Sequence, residues 1–292
     1  MSSESEAVSD AAIGRVRSAS SVDPDRSLQS KRRWRTAAVS ASTTLRPFIF
    51  PLLIVAVWQS LGSFNLIDPV LLPTPDRVLT ELASLLWTGA LLPHLAISFQ
   101  RVMLGFAMGT SVAVLIGALT GYSKFWRSLI DPTLHALRTI PGLAWIPMFI
   151  LWLGIDEGSK VALIGLATFF PTYLNFMSGI ARADRKLIEV GQVYRLSGVR
   201  LVGTVLFPYS LPFLFVGLRQ SMGVAWLVVV AAELMGASKG IGYMLMDGEM
   251  TGRPHVVMAC MIVFALCGKT TDLVLVALSR RVLRWQDTVD KD

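Results

Sequence analysis

Arg101, Arg219, Glu233, Lys269 and Asp272 are ionisable residues set inside long apolar stretches of a 292-residue chain. At the centre of a membrane helix such a group costs ~2.5–3.5 kcal/mol on insertion scales, so each needs an ionic partner or a polar cavity. Arg219 suits a translocation path that takes an anion, and Glu233 suits either repelling anions or holding an arginine. The two share one stretch, ~21 Å apart along a helix axis, too far to pair directly. Lys269 and Asp272, at i and i+3, can pair with each other, and these four residues are the candidates for a path through the membrane. Arg101 and Arg138 lie near the ends of their stretches, where snorkelling suffices. Covalent chemistry finds no footing. Gly268-Lys269-Thr270 echoes the end of a phosphate-binding loop, but Val263 stands where the motif needs its first glycine, so no ATP site is expected in this chain. No HExxH or paired-cysteine pattern occurs, and no catalytic residue and no metal site are nominated. Cys260 and Cys267 lie ~10 Å apart along a helix, beyond disulfide reach. His94, His135 and His255, at span edges, read as interfacial hydrogen-bonders.

These residues must be positioned by membrane helices. The chain is 53% hydrophobic and 16% charged, with a mean hydropathy of +0.57, too apolar for a soluble domain. Apolar runs place six spans at roughly 47–62, 93–121, 139–154, 161–180, 210–235 and 255–279, each approaching the ~20 residues that cross a ~30 Å hydrocarbon core. The expected fold is therefore all-α, a polytopic membrane protein with six transmembrane helices. Residues 1–46, with a basic cluster at Lys31, Arg32, Arg33 and Arg35, read as a disordered cytoplasmic tail that is retained, because no apolar run follows a short basic start. Residues 63–89 read as an external loop with a short helix, and 280–292 as a C-terminal tail. Span three, short and carrying Pro141 and Pro147, is expected to be irregular and sheltered by its neighbours.

Of the 27 Lys and Arg, eight lie in the tail, three in 122–138, five in 181–209 and four after 279, all on one side of a six-span bundle. The other side carries Arg77, Lys160, Lys239 and Arg253 against seven acids: Asp68, Asp76, Glu81, Asp156, Glu157, Asp247 and Glu249. The positive-inside rule then puts both termini in the cytoplasm. The net charge of +7 is a topology signal and not a nucleic-acid footprint.

Span two carries Gly105, Gly109, Ala113, Gly117 and Gly121, small residues at a spacing of four. Such a ridge lets a second helix approach where no hydrophobic effect drives association, and it suggests span two as the centre of the bundle.

Between spans four and five, residues 181–208 form a polar segment too long for a turn. Leu187, Ile188, Gly191, Val193, Tyr194 and Leu196 interleave with Arg185, Lys186, Glu189 and Arg195, as in a short amphipathic helix at the membrane surface ending near Ser197-Gly198. Glu189-Val190-Gly191, Leu196-Ser197-Gly198 and Leu206-Phe207-Pro208 resemble the EAA loop of the membrane subunits of type I ABC importers. That pattern reads Glu-Ala-Ala, a glycine six residues after the Glu, and a closing Leu-Pro. The wider likeness, over roughly 70–285, is to the aliphatic sulfonate, taurine and nitrate permeases, and to the sulfonate permeases most. It includes Leu72-Pro73-Thr74-Pro75, Ser98-Phe99-Gln100-Arg101-Val102, Ile140 to Pro147, Ala232-Glu233, Gly240-Ile241-Gly242-Tyr243, and Gly268-Lys269 with Asp272. Arg195 replaces the pattern's glycine, where a left-handed turn costs more with a side chain present, and Phe207 replaces the Leu of Leu-Pro.

The resemblance implies a type I importer permease domain over 90–279 and a helix, formed by Glu189, Val190, Gly191, Leu196, Ser197 and Gly198 and closed by Pro208, that couples to a cytoplasmic ATPase. It implies two ABC ATPase subunits that use ATP and Mg, an external solute-binding protein, and a second copy of the chain in a homodimer within the bilayer. An ion-coupled secondary transporter would instead show midplane acids and inverted repeats, an enzyme would show a catalytic constellation, and a scaffold would not need this polar loop.

Overall fold

A computed structural model describes residues 49–285 apart from 65, 69 and 235. The basic tail and its Lys31 to Arg35 cluster, the first two residues of span one and the residues after 285 lie outside this description. Two units are distinguished, residues 1–64 and 65–292. In the first, the described chain is a short apolar helix, α1 (Ile49–Ser63).

The second unit is helical throughout, with no strand among the described residues. Its elements are α2 (Pro75–Trp87), α3 (Leu91–Tyr122), α4 (Lys124–Thr139), a 3₁₀ turn (Gly142–Trp145), α5 (Ile146–Leu153), α6 (Glu157–Ala181), α7 (Arg185–Val193), α8 (Gly198–Leu234), α9 (Ile241–Met250) and α10 (Pro254–Val282). Four of these, α3, α6, α8 and α10, are long and apolar enough to cross a membrane, and α4 with α5 makes a fifth if that bent pair is one span.

The bend between α4 and the Gly142–Leu153 helix is 94°. Its cause is local: Pro141 offers no N–H and pushes Ile140 into extended backbone (φ −73°, ψ 122°). The stretch 122–138, counted above only as a charged segment between spans, is thus mostly helix α4. Arg127 on α4 caps the end of α3, with Nε donating to Thr120 O (3.0 Å) and Nη2 to Gly121 O (3.1 Å). Cations are favoured at that end of a helix dipole.

The small-residue ridge of α3 faces α6. A Cβ at Gly105 would lie 2.6 Å from the Ile164 side chain and one at Gly121 2.8 Å from Ile180 Cβ. At Gly109 it would run into Gly165 O and Thr168 Oγ1, whereas at Gly117 it would meet Phe176 Cδ1 at 3.1 Å. The centre of the bundle, however, is α6 and not α3: no residue from Ser159 to Ile180 is exposed, while α3 turns Leu104, Val112 and Leu115 outward. The ridge is therefore the face by which α3 meets the centre. On its other side α6 meets α8 through hydroxyls. Ser221 Oγ donates to Thr168 O (2.7 Å) and accepts from Thr172 Oγ1 (2.8 Å), the interhelical polar bonding that replaces a hydrophobic drive in lipid. The main core gathers Val102, Ile164, Trp226 and Val229 from α3, α6 and α8.

Candidate functional site

Three constellations carry the polar chemistry of the second unit. The first lies where α3 and α6 begin and α8 ends. Glu233 and Arg101 side chains are 0% and 3% exposed and join at 2.7 Å, Arg101 Nη1 to Glu233 Oε1. Glu233 also accepts from Ser98 Oγ (2.7 Å) and from Gly242 N (2.8 Å). Arg101 completes its fork on Glu157, with Nε at 2.5 Å and Nη2 at 2.6 Å, and gives Nη1 to Lys239 O (2.8 Å). Ser98 Oγ in turn accepts from Ile241 N (2.8 Å), and His94 Nδ1 accepts from Gly240 N (3.0 Å). Gly240 has φ 127°, and any Cβ there would strike the Glu233 carboxylate, so glycine is required on both counts. A buried ion pair is tolerated when its remaining lone pairs and protons are bonded, and here they are. Arg101 is thus no snorkelling cation. It is locked among four segments, and Glu233 is spent on holding it.

The second constellation joins α8 to α10. Arg219 Nε donates to Asp272 Oδ1 (2.7 Å) and Nη2 to Oδ2 (3.2 Å). Asp272 therefore bonds across helices to Arg219, where the sequence pointed to Lys269 one turn away. Lys269 is exposed. Beside the pair, Trp226 Nε1 donates to Thr271 Oγ1 (3.0 Å). The four charged candidates thus divide: Glu233 sits in the first constellation, and Arg219, Asp272 and Lys269 in the second.

The third is the segment from α7 into α8. Asp184 Oδ1 accepts from Lys186 N (3.0 Å) and starts α7. The helix ends with Leu196 N donating to Gly191 O (2.9 Å) and Arg195 N to Gln192 O (2.8 Å), the two bonds of a Schellman ending. This puts Arg195 in the left-handed region at φ 57°, the one non-glycine residue so placed among the described residues. Ser197, extended at φ −145°, leads into α8, whose first glycine, Gly198, has φ 53°. Gly191 is buried on Leu201, and a Cβ would overlap Leu201 Cδ1. A π-helical turn over Val202–Leu206, closed by Phe207 N to Val202 O, precedes Pro208, which cannot donate and would crowd the carbonyl four residues back. Glu189 is exposed, as are the apolar Val190, Val193 (81%) and Tyr194 (76%). Leu187, Val190 and Tyr194 of α7, with Val205 and Pro208 of α8 and Trp285, line an open groove of about 570 Å³.

Among the described residues no group of three or more His, Cys, Asp or Glu could hold a metal ion. Sequence reasoning placed Ser98, Arg101 and Gly240 to Tyr243 in separate fragments. Their convergence on Glu233 was the part it missed, and the clustering of polar residues at three apolar span ends was the available signal.

Helices long and apolar enough to cross a membrane, with an exposed amphipathic helix between two of them, define a polytopic helical membrane protein. The chain belongs to the family described as binding-protein-dependent transport system inner membrane component, whose pattern matches residues 109–284. It is 41% identical to the aliphatic sulfonates transport permease protein SsuC of Bacillus subtilis, over 84% of this chain and 89% of that one. It is 40% identical to SsuC of Escherichia coli, over 82% and 91%, and 32% identical to the taurine transport system permease protein TauC of Escherichia coli, over 81% and 88%. The chain is an ABC transporter permease subunit, a membrane component rather than an enzyme.

Proposed function

We propose that this chain forms the translocation path of an ATP-driven importer for a small organic anion, with aliphatic sulfonates as cargo and taurine or nitrate as the alternatives. The carrying observation is the likeness to SsuC across more than four-fifths of the chain, joined to an α7 with exposed apolar residues. Two copies of the chain enclose the path, two cytoplasmic ATPase subunits supply ATP and Mg chemistry that this chain lacks, and an external binding protein delivers cargo. With α1 and the bent α4–α5 pair each counted as a span the bundle has six, and the basic segments put both termini in the cytoplasm.

In this reading α7 and its flank, Glu189, Val190, Gly191, Leu196, Ser197 and Gly198 up to Pro208, is the coupling element. Closure of the ATPases on ATP pushes α7, the close fit of Gly191 on Leu201 passes the push into α8, and the bundle switches access from one side to the other. Cargo selectivity resides chiefly with the binding protein, which fits the scarcity of polar groups along the spans.

The test is to purify the chain with its ATPase, reconstitute both with the binding protein, and record ATPase activity with and without loaded binding protein across alkanesulfonates, taurine and nitrate. Stimulation by one cargo, lost in Glu189→Ala with assembly intact, is the expected result. Failure of any ATPase to co-purify, with uptake driven by an ion gradient alone, overturns the reading.

A further inference from the structure

Within the interiors of the long spans, Arg101 and Lys160 are buried and bonded, whereas Arg219, Asp272 and Lys269 are not enclosed. The Arg219 side chain is 48% exposed and that of Asp272 29%. Asp272 lies ~15 Å from the end of α10 and Arg219 ~22 Å from the end of α8, counted at 1.5 Å per residue, well inside a hydrocarbon thickness. Lipid does not solvate such groups, so this face of α8 and α10 borders a polar space. The face continues along α8 as Val216, Gln220, Gly223 and Leu227, exposed at helical spacing.

Charge and geometry then specify what the space takes. Arg219 and Lys269 oppose a single carboxylate, leaving one positive charge per chain. Among the described residues the bonds of Arg219 go to Asp272 alone, through the two-pronged edge that also matches any oxyanion with two oxygens on one centre. The Trp226 to Thr271 bond next to the pair is neutral, and it ties α8 to α10 whether or not Asp272 holds Arg219.

We propose that Arg219, Lys269 and Asp272 form a self-neutralising anion site, in which a singly charged oxyanion of the sulfonate class displaces Asp272 from the Arg219 guanidinium and is paired by Lys269. Asp272 is the internal competitor that keeps the site weak for cargo, so the anion leaves as readily as it arrives. The proposal rests on the importer reading above and names the residues that make its path anion-selective.

The test uses the full complex of permease, ATPase and binding protein in proteoliposomes, with labelled ethanesulfonate as probe. ATP-dependent uptake by the unaltered complex establishes the importer reading first; its absence for ethanesulfonate, taurine and nitrate alike removes that reading and this one with it. Given uptake, Arg219→Gln and the double variant Arg219→Gln/Asp272→Asn each lose at least about tenfold in rate, the scale of a lost charge-assisted bond, while loaded binding protein still stimulates ATPase. Asp272→Asn keeps uptake and retains ethanesulfonate on the washed complex, and Lys269→Gln, at an exposed position, loses several-fold where Lys269→Arg does not. Return of the double variant to full uptake, or full uptake in Lys269→Gln, shows a purely structural pair and overturns the proposal while leaving the importer reading intact.

Discussion

Arg101 and Glu233 stand 132 residues apart in the chain and 2.7 Å apart in the fold, both buried. They fasten the start of α3 to the end of α8, and Glu157 and the Lys239 to Gly242 backbone complete the knot. Removing one partner of such a pair leaves a buried charge uncompensated. Glu233→Ala is expected to destabilise the permease by about 3 kcal/mol or more, whereas Glu157→Ala, whose side chain is 63% exposed, costs about 1 kcal/mol or less. Thermal unfolding of the two variants in the same detergent checks the order.

The ridge on α3 predicts a graded series. Alanine at Gly109 meets backbone oxygen and cannot be accommodated without separating α3 from α6, while alanine at Gly117 is crowded by the Phe176 ring, which can turn, and meets backbone only at ordinary contact distance. Overpacking at the first site is expected to cost about 2 kcal/mol and at the second under about 1 kcal/mol. Resistance to denaturation by added SDS distinguishes them.

Arg195 in the left-handed region carries a backbone cost that glycine lacks. Arg195→Gly is expected to stabilise the fold by about 1 kcal/mol, with co-purification of the ATPase retained. A fall in melting temperature would mean that the arginine side chain makes a contact worth more than the turn.

Val193 is 81% exposed on α7. Val193→Asp is therefore expected to leave melting within about 0.5 kcal/mol of the parent, as surface substitutions do, yet to abolish ATPase capture. Equal capture would remove α7 as the docking element.

The sequence made the helical class plain, because the long apolar runs at 93–121 and 255–279 fall within Leu91–Tyr122 and Pro254–Val282. It was poorer at pairing charges. A helical wheel offers Lys269 to Asp272, but the carboxylate reaches across to Arg219 on another helix, and no periodicity within one span announces that. Arg101 looked terminal and free for the same reason: its three acceptors come from α6, α8 and the link into α9. Span five also begins earlier than its apolar core, since a π-helical turn absorbs Pro208 where the sequence signals a break.

The enclosure of α6 has a consequence for how the protein is made. A helix screened by its neighbours from Ser159 to Ile180 is released from the demand for oiliness, and α6 is accordingly the least apolar of the four long spans, carrying Lys160, Thr168, Thr172 and Asn175. The same residues make it a reluctant solo traveller into the bilayer, since Lys160 would lack cover there and Thr172 would lose Ser221. Its escort is α3, synthesised first and carrying the glycine seam already cut to its shape. In chain order α3 is in place before α6 emerges and α8 follows to close over the pair, so chain order and burial order agree.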